Sequence, residues 1–211
     1  MGTSTARKPP SGRLWRAAKT AAGRYLATAG DVVSAQEVLH RYVAAVTAAA
    51  EAEGASPFFR LARQVAQELG AFWEERRGQP AAEAPSPLAV LARAQALAET
   101  WLPEKGSLES AVCRSALITV LHTHLTRSTT AATEVVRDFL AQAVAVRLYL
   151  DLGETLESMA PDSARLEQGW EGLRRVLWQR LTASEPPPTG AWRKLAGWLW
   201  ITRLLEGLKA R

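Results

Sequence analysis

Apolar residues recur at three- and four-residue spacing from about Arg13 to Ala210, in segments divided by clusters of Pro, Gly and Ser. That period belongs to helices with one packed face. The densest segment is Thr130–Met159, where Val135, Val136, Phe139, Leu140, Ala143, Val144, Val146, Leu148, Leu150 and Leu152 leave almost no polar stripe. A helix apolar on nearly every side is packed on every side, so this stretch is expected to be the central helix of a bundle. Arg137, Asp138, Arg147 and Asp151 interrupt it, whereas a membrane span needs about 20 apolar residues in a row. Arg147 and Asp151 stand four apart and can pair, which lowers the cost of burying either.

The remaining segments are read from their ends. A first helix runs from Arg13 to about Thr28. A second is expected to start at the capping box Ser34-Ala-Gln-Glu37 and to stop at Gly54. Ser56-Pro57 and Ser86-Pro87 each place a capping residue before a proline at the first helical position, opening helices to Gly78 and to Leu102-Pro103. Residues 79–87 read as a linker and a possible sub-boundary. Ser107 caps a helix to about Arg127, Asp162 caps Ser163–Thr182, and a last helix is expected from Ala191 to Ala210 after Glu185-Pro-Pro-Pro188. The octapeptide S-P-x-x-x-L-A-R occurs at 56–63 and again at 86–93. Two copies fall short of the roughly three repeats a solenoid needs.

Composition agrees with helix: Ala is abundant while Ile, Tyr and Phe are few. A chain of 211 residues buries enough surface to dispense with disulfides or a structural metal. Charge changes the picture more. Of the net +5, residues 1–30 contribute +6 without a single acid and residues 165–211 contribute +5, which leaves the middle at −6. Basic ends around an acidic centre can serve an external polyanion or can close the protein on itself. Residues 1–12 carry Pro9, Pro10 and Gly12 with no apolar period, and read as a mobile basic tail. The acid-free start also has the composition of a transit peptide or a membrane-surface helix, with composition as the sole support.

No arrangement of residues carries recognisable catalytic chemistry. His122 and His124, two apart on a helix, point about 200° from one another and cannot share a metal. Glu37-x-x-His40 is one Glu-x-x-His unit where a di-iron bundle needs two. Cys113 has no histidine at a local spacing that would activate it. Phosphate loops, nucleophile elbows and zinc signatures are missing from the sequence.

The sequence therefore predicts an all-α bundle of seven to eight helices in one domain, 13–211, behind a tail at 1–12. Its expected role is non-enzymatic, without cofactor or metal: a cytoplasmic subunit or adaptor of a larger protein or nucleoprotein assembly. Contact with RNA or DNA, without sequence reading, is expected through Arg7, Lys8, Arg13, Arg16, Lys19, Arg24, Arg174, Arg175 and Trp178. The last helix, apolar all round, is expected to offer Trp198, Trp200 and Arg203 to a protein partner. Within it, Trp192 and Leu195 are expected to serve folding and Trp200 association. The alternative is a protein-interaction module whose basic ends dock on acidic surfaces.

Overall fold

The structure, a computed structural model, describes residues 12–27, 31–53, 57–76, 86–102, 106–125, 130–181 and 185–208, with side chains at 49–53 excepted. Among them are eight helices and no strand: α1 (Arg13–Ala27), α2 (Val32–Glu53), α3 (Pro57–Arg76), α4 (Pro87–Trp101), α5 (Leu108–His124), α6 (Ala132–Met159), α7 (Ser163–Arg180) and α8 (Leu195–Gly207). Residues 1–11 and most of the 79–87 linker lie outside the described residues, as do Arg7 and Lys8.

α6 is the hub, packed against α1, α3, α5 and α7. α2 lies on α1 and α7, α4 on α5, and α8 on α3. Val135, Val136, Phe139, Leu140, Val144, Leu148 and Leu152 of α6 are fully enclosed. The enclosure is not complete around the helix, because Tyr149 and Leu150 face solvent. Arg147 and Asp151 do pair, at 3.0 Å. Tyr42 of α2 donates to the same carboxylate at 2.9 Å, and Arg147 reaches Glu109 of α5 at 2.8 Å. Burial pulls the Arg147 pKa down, but Asp151 and Glu109 outweigh it and hold the guanidinium above its ordinary value.

Ser86, Ser107 and Asp162 cap their helices, accepting from the backbone N–H groups of Ala89, Ser110 and Arg165. The start of α2 differs from expectation. Ser34 already lies inside the helix, and Asp31 is the cap, its carboxylate accepting from the Ser34 N–H at 2.9 Å. Both residue types can cap, and the apolar Val32 and Val33 that precede Ser34 are helical here although exposed. Asp31→Ala is accordingly expected to cost about 1 kcal/mol, read as a lowered denaturation midpoint; an unchanged midpoint would exclude Asp31 as the cap.

The two octapeptide copies do not occupy equivalent places. Phe58 and Ala62 are buried, whereas their counterparts Leu88 and Ala92 are exposed, and α4 buries Val90, Ala94 and Ala98 instead. α3 is pressed between α5, α6 and α8, while α4 packs mainly on α5 and touches α3 through Trp101 and Arg93, which meet the Phe72 ring. A shared sequence thus presents different faces.

The C-terminal helix begins later than predicted. Ala191–Lys194 form a turn, with the Ala191 N–H bonded to the Pro188 carbonyl and the Lys194 N–H to that of Ala191, each at 3.0 Å. Trp192 therefore does not share the phase of the helix that follows. From Leu195 onward the buried stripe is Gly197, Trp200, Ile201, Leu204, Leu205 and Leu208, spaced by three and four. Trp200 is only 4% exposed and meets Trp192 edge to face, at 5.4 Å between ring centroids. Leu195, expected to serve folding, is 68% exposed. The exposures of Leu195 and Trp200 are thus the reverse of those expected, because a single helical wheel from Ala191 runs through a turn. Trp192 lies flat over Gly70 of α3, where any side chain would strike its ring.

Candidate functional site

Three surfaces gather the residues singled out above. The first is on α1. Arg13, Arg16, Thr20 and Arg24 follow one another by three and four residues and share a solvent-facing stripe. Among the described residues Arg13 and Arg16 make no ion pair. Lys19 falls off the stripe and is half-buried. The buried side of α1 is Ala18, Ala21, Ala22, Tyr25 and Leu26, and its three alanines let α2 approach closely.

The stripe runs into a groove of about 780 Å³ between α1 and α2, closed at one end by α7. Arg24 comes from α1, Glu37, His40 and Arg41 from α2, and Arg180 from the last turn of α7. Arg41 and Glu37 pair at 2.7 Å. A guanidinium has five N–H donors in a planar fork, so one carboxylate does not exhaust it. His40 keeps a buried Nδ1 without a hydrogen-bond partner. The sequence singles out Arg24, and His40 only as half of a metal unit, but not Arg41 or Arg180. Nothing local could have found them, since α2 and α7 meet α1 only through tertiary packing.

The second surface is on α7. Arg174 and Trp178 share a side of the helix and line a smaller pocket with Thr119, Thr123 and His124 of α5 and Asp138 and Gln142 of α6. Arg174 donates to the Gln142 side-chain oxygen at 3.0 Å. Arg175, which lines a further pocket with Arg174, acts on the Tyr25 hydroxyl of α1. Burial and then Asp31 push that phenol above its ordinary pKa, and Arg175 pulls it back in part. Tyr25 donates to the Gly169 carbonyl at 2.7 Å, fixing α1 on α7. The cation stacked on Trp178 is neither of the two sequence neighbours but Arg137 of α6, 4.2 Å from the ring centroid. Trp178 therefore packs on α6.

His122 and His124 do diverge: His122 is exposed, and His124 is buried with Nε2 2.7 Å from Asp138. The His124 ring also meets Trp73 edge to face, and Trp73 donates to the Thr130 carbonyl at 2.8 Å. The Thr130 hydroxyl lies 3.4 Å from the other ring nitrogen, Nδ1, and the arrangement ties α3, α5 and α6 together. Among the described residues no group of three His, Cys, Asp or Glu side chains is placed to hold a metal ion. Cys113 is buried, and desolvation, with a smaller push from Glu109, raises its thiol pKa to about 12. Such a thiol stays protonated at neutral pH and is a poor nucleophile.

The third surface is α8. Leu195, Trp198 and Leu199 form an exposed stripe, with Trp198 38% and Leu199 39% accessible. Arg63 of α3 lies over the Trp198 ring at 4.7 Å. Arg203 is exposed one turn beyond Leu199. Trp198 and Arg203 thus remain on the surface, while Trp200 is inside. Beside this stripe, the C-terminal segment docks on acids of α3: Arg193 pairs with Glu68 at 2.9 Å and with Glu75 at 2.6 Å, and the Gly190 N–H donates to Glu74 at 2.6 Å. Gly190 has φ +72°, a left-handed conformation that glycine adopts without strain. Part of the C-terminal positive charge is therefore spent within the molecule.

No helix among the described residues is long and apolar enough to cross a membrane. Compared with protein-family models, curated proteins and solved structures, the chain matches none.

Proposed function

We propose that this protein is a non-enzymatic helical subunit or adaptor that holds nucleic acid by its phosphate backbone, without reading sequence. The observation that carries the reading is the convergence of basic side chains from distant parts of the chain. Arg13, Arg16 and Arg24 share one stripe of α1, and that stripe enters the groove to which α2 contributes Arg41 and α7 contributes Arg180. A track of guanidinium groups along a groove is suited to a chain of phosphates, each contact releasing a condensed counterion. Among the described residues no Phe, Tyr or Trp lines the groove, and its several guanidinium groups favour phosphate contacts over base stacking.

The test is a salt titration of binding to single- and double-stranded nucleic acid. The logarithm of the binding constant is expected to fall steeply with the logarithm of salt concentration. Arg13→Ala and Arg16→Ala are each expected to lower the slope by about 0.7 on single strands or about 0.9 on duplex. A wild-type slope near zero would overturn the reading. The exposed stripe Leu195, Trp198 and Leu199 supports the remaining part of it, docking within a larger assembly. The Arg193 contacts to Glu68 and Glu75 favour the second reading, a protein module whose basic ends settle on acidic surfaces, for the C-terminal segment alone.

A further inference from the structure

We infer that the pocket between α5 and α7 receives a single base of an unpaired strand, an inference that rests on the nucleic-acid reading above. The pocket measures about 220 Å³, below the roughly 300–1,000 Å³ of sites for drug-sized ligands. It suits one ring system and not a whole nucleotide.

Its wall is an indole that is exposed and yet fixed. Trp178 is 41% accessible, while its Nε1–H donates to Asp138 Oδ1 at 2.7 Å and its backbone carbonyl accepts from Arg137 at 3.3 Å. Arg137 covers the ring without lining the pocket, so the side of the indole turned to the pocket is not the one it covers. A ring already immobilised has little conformational freedom left to lose when a base stacks on it. Stacking on aromatic side chains is tolerant of sequence, as the proposed function requires.

The other lining groups match the edge of a base. Gln142 accepts from Arg174 through its oxygen, which leaves its amide N–H groups to donate. Thr119 spends its proton on the Ser115 carbonyl and offers lone pairs. The carboxylate of Asp138 also lines the pocket. It disfavours a phosphate inside and tolerates a neutral ring, which puts the flanking phosphate at the rim beside Arg174. Near the end of α7, Trp178 lines the pocket and Arg180 the α1–α2 groove, on different sides of the helix.

The experiment uses the full chain, a short fluorescently labelled single-stranded oligonucleotide, and an abasic oligomer of the same length. Wild type is expected to bind the base-bearing strand more tightly. Trp178→Ala is expected to weaken that binding about tenfold, with an unchanged salt slope and unchanged affinity for the abasic oligomer. Trp178→Phe, which keeps a stacking ring, is expected to retain most of it. Should Trp178→Ala fail to fold, Thr119→Trp fills the pocket from the exposed side of α5 and is expected to produce the same selective loss. Equal losses on both oligomers, or no loss from either pocket variant, would overturn the base site. So would a wild type that binds both oligomers equally, and in each of these cases the phosphate-backbone reading stands. A wild type that binds neither would overturn both.

Discussion

Asp151→Ala is expected to destabilise the protein by about 3–5 kcal/mol, because it breaks a buried ion pair by removing one partner. The Asp151 side chain is fully enclosed and that of Arg147 nearly so. The carboxylate receives both the Arg147 Nε–H and the Tyr42 hydroxyl. Its removal leaves a phenol in the core without its acceptor and a guanidinium with Glu109 as its remaining acidic contact. Arg147 also lies over the Phe58 ring of α3 at 5.7 Å, so α2, α3, α5 and α6 all lose part of their common anchor. Tyr42→Phe removes one donor to the buried carboxylate and keeps the ring, and is expected to cost less, about 1.5–3 kcal/mol. Denaturant titration measures both. A midpoint for Asp151→Ala close to that of Tyr42→Phe would show that the ion pair does not hold these helices.

Trp192→Ala is expected to cost about 3–5 kcal/mol, the range for deleting a large buried aromatic. The indole fills the space between α3 and α8, which a glycine at position 70 leaves open for it. The Trp192 carbonyl accepts from Gln67 at 3.0 Å, so the backbone stays in place and the cavity cannot collapse readily. Trp200→Ala is expected to lie at the lower end of that range. Its buried Nε1–H has no partner, and truncation removes that unsatisfied donor along with the ring. Trp198→Ala is expected to change the melting temperature little, since it removes an exposed ring and one stacked guanidinium. The result that would sink this ordering is a loss from Trp198→Ala as large as that from Trp192→Ala.

By itself, the sequence determined the class of fold, the order of the helices and most of their starts. These depend on local physics: the 3.6-residue period, the Ser and Asp caps, and the prolines at first positions. It also determined that Thr130–Met159 is the hub and that Arg147 and Asp151 pair, since four residues along one helix is a fixed distance. Where two local signals competed, it misjudged. Asp31 and Ser34 are both competent caps, and only the way α2 lies on α1 and α7 decided that the helix begins before Ser34.

Tertiary structure alone decided the faces. A wheel drawn from Ala191 assumes one continuous helix, but the turn at Ala191–Lys194 resets the phase and sends Trp200 inward and Leu195 outward. The two octapeptides of shared pattern bury different residues because their neighbours differ. The candidate sites lay furthest from view. Arg137 and Trp178 are 41 positions apart, and Arg24, Arg41 and Arg180 come from three helices. Spacing along one helix says which residues share a side; only packing says which sides meet.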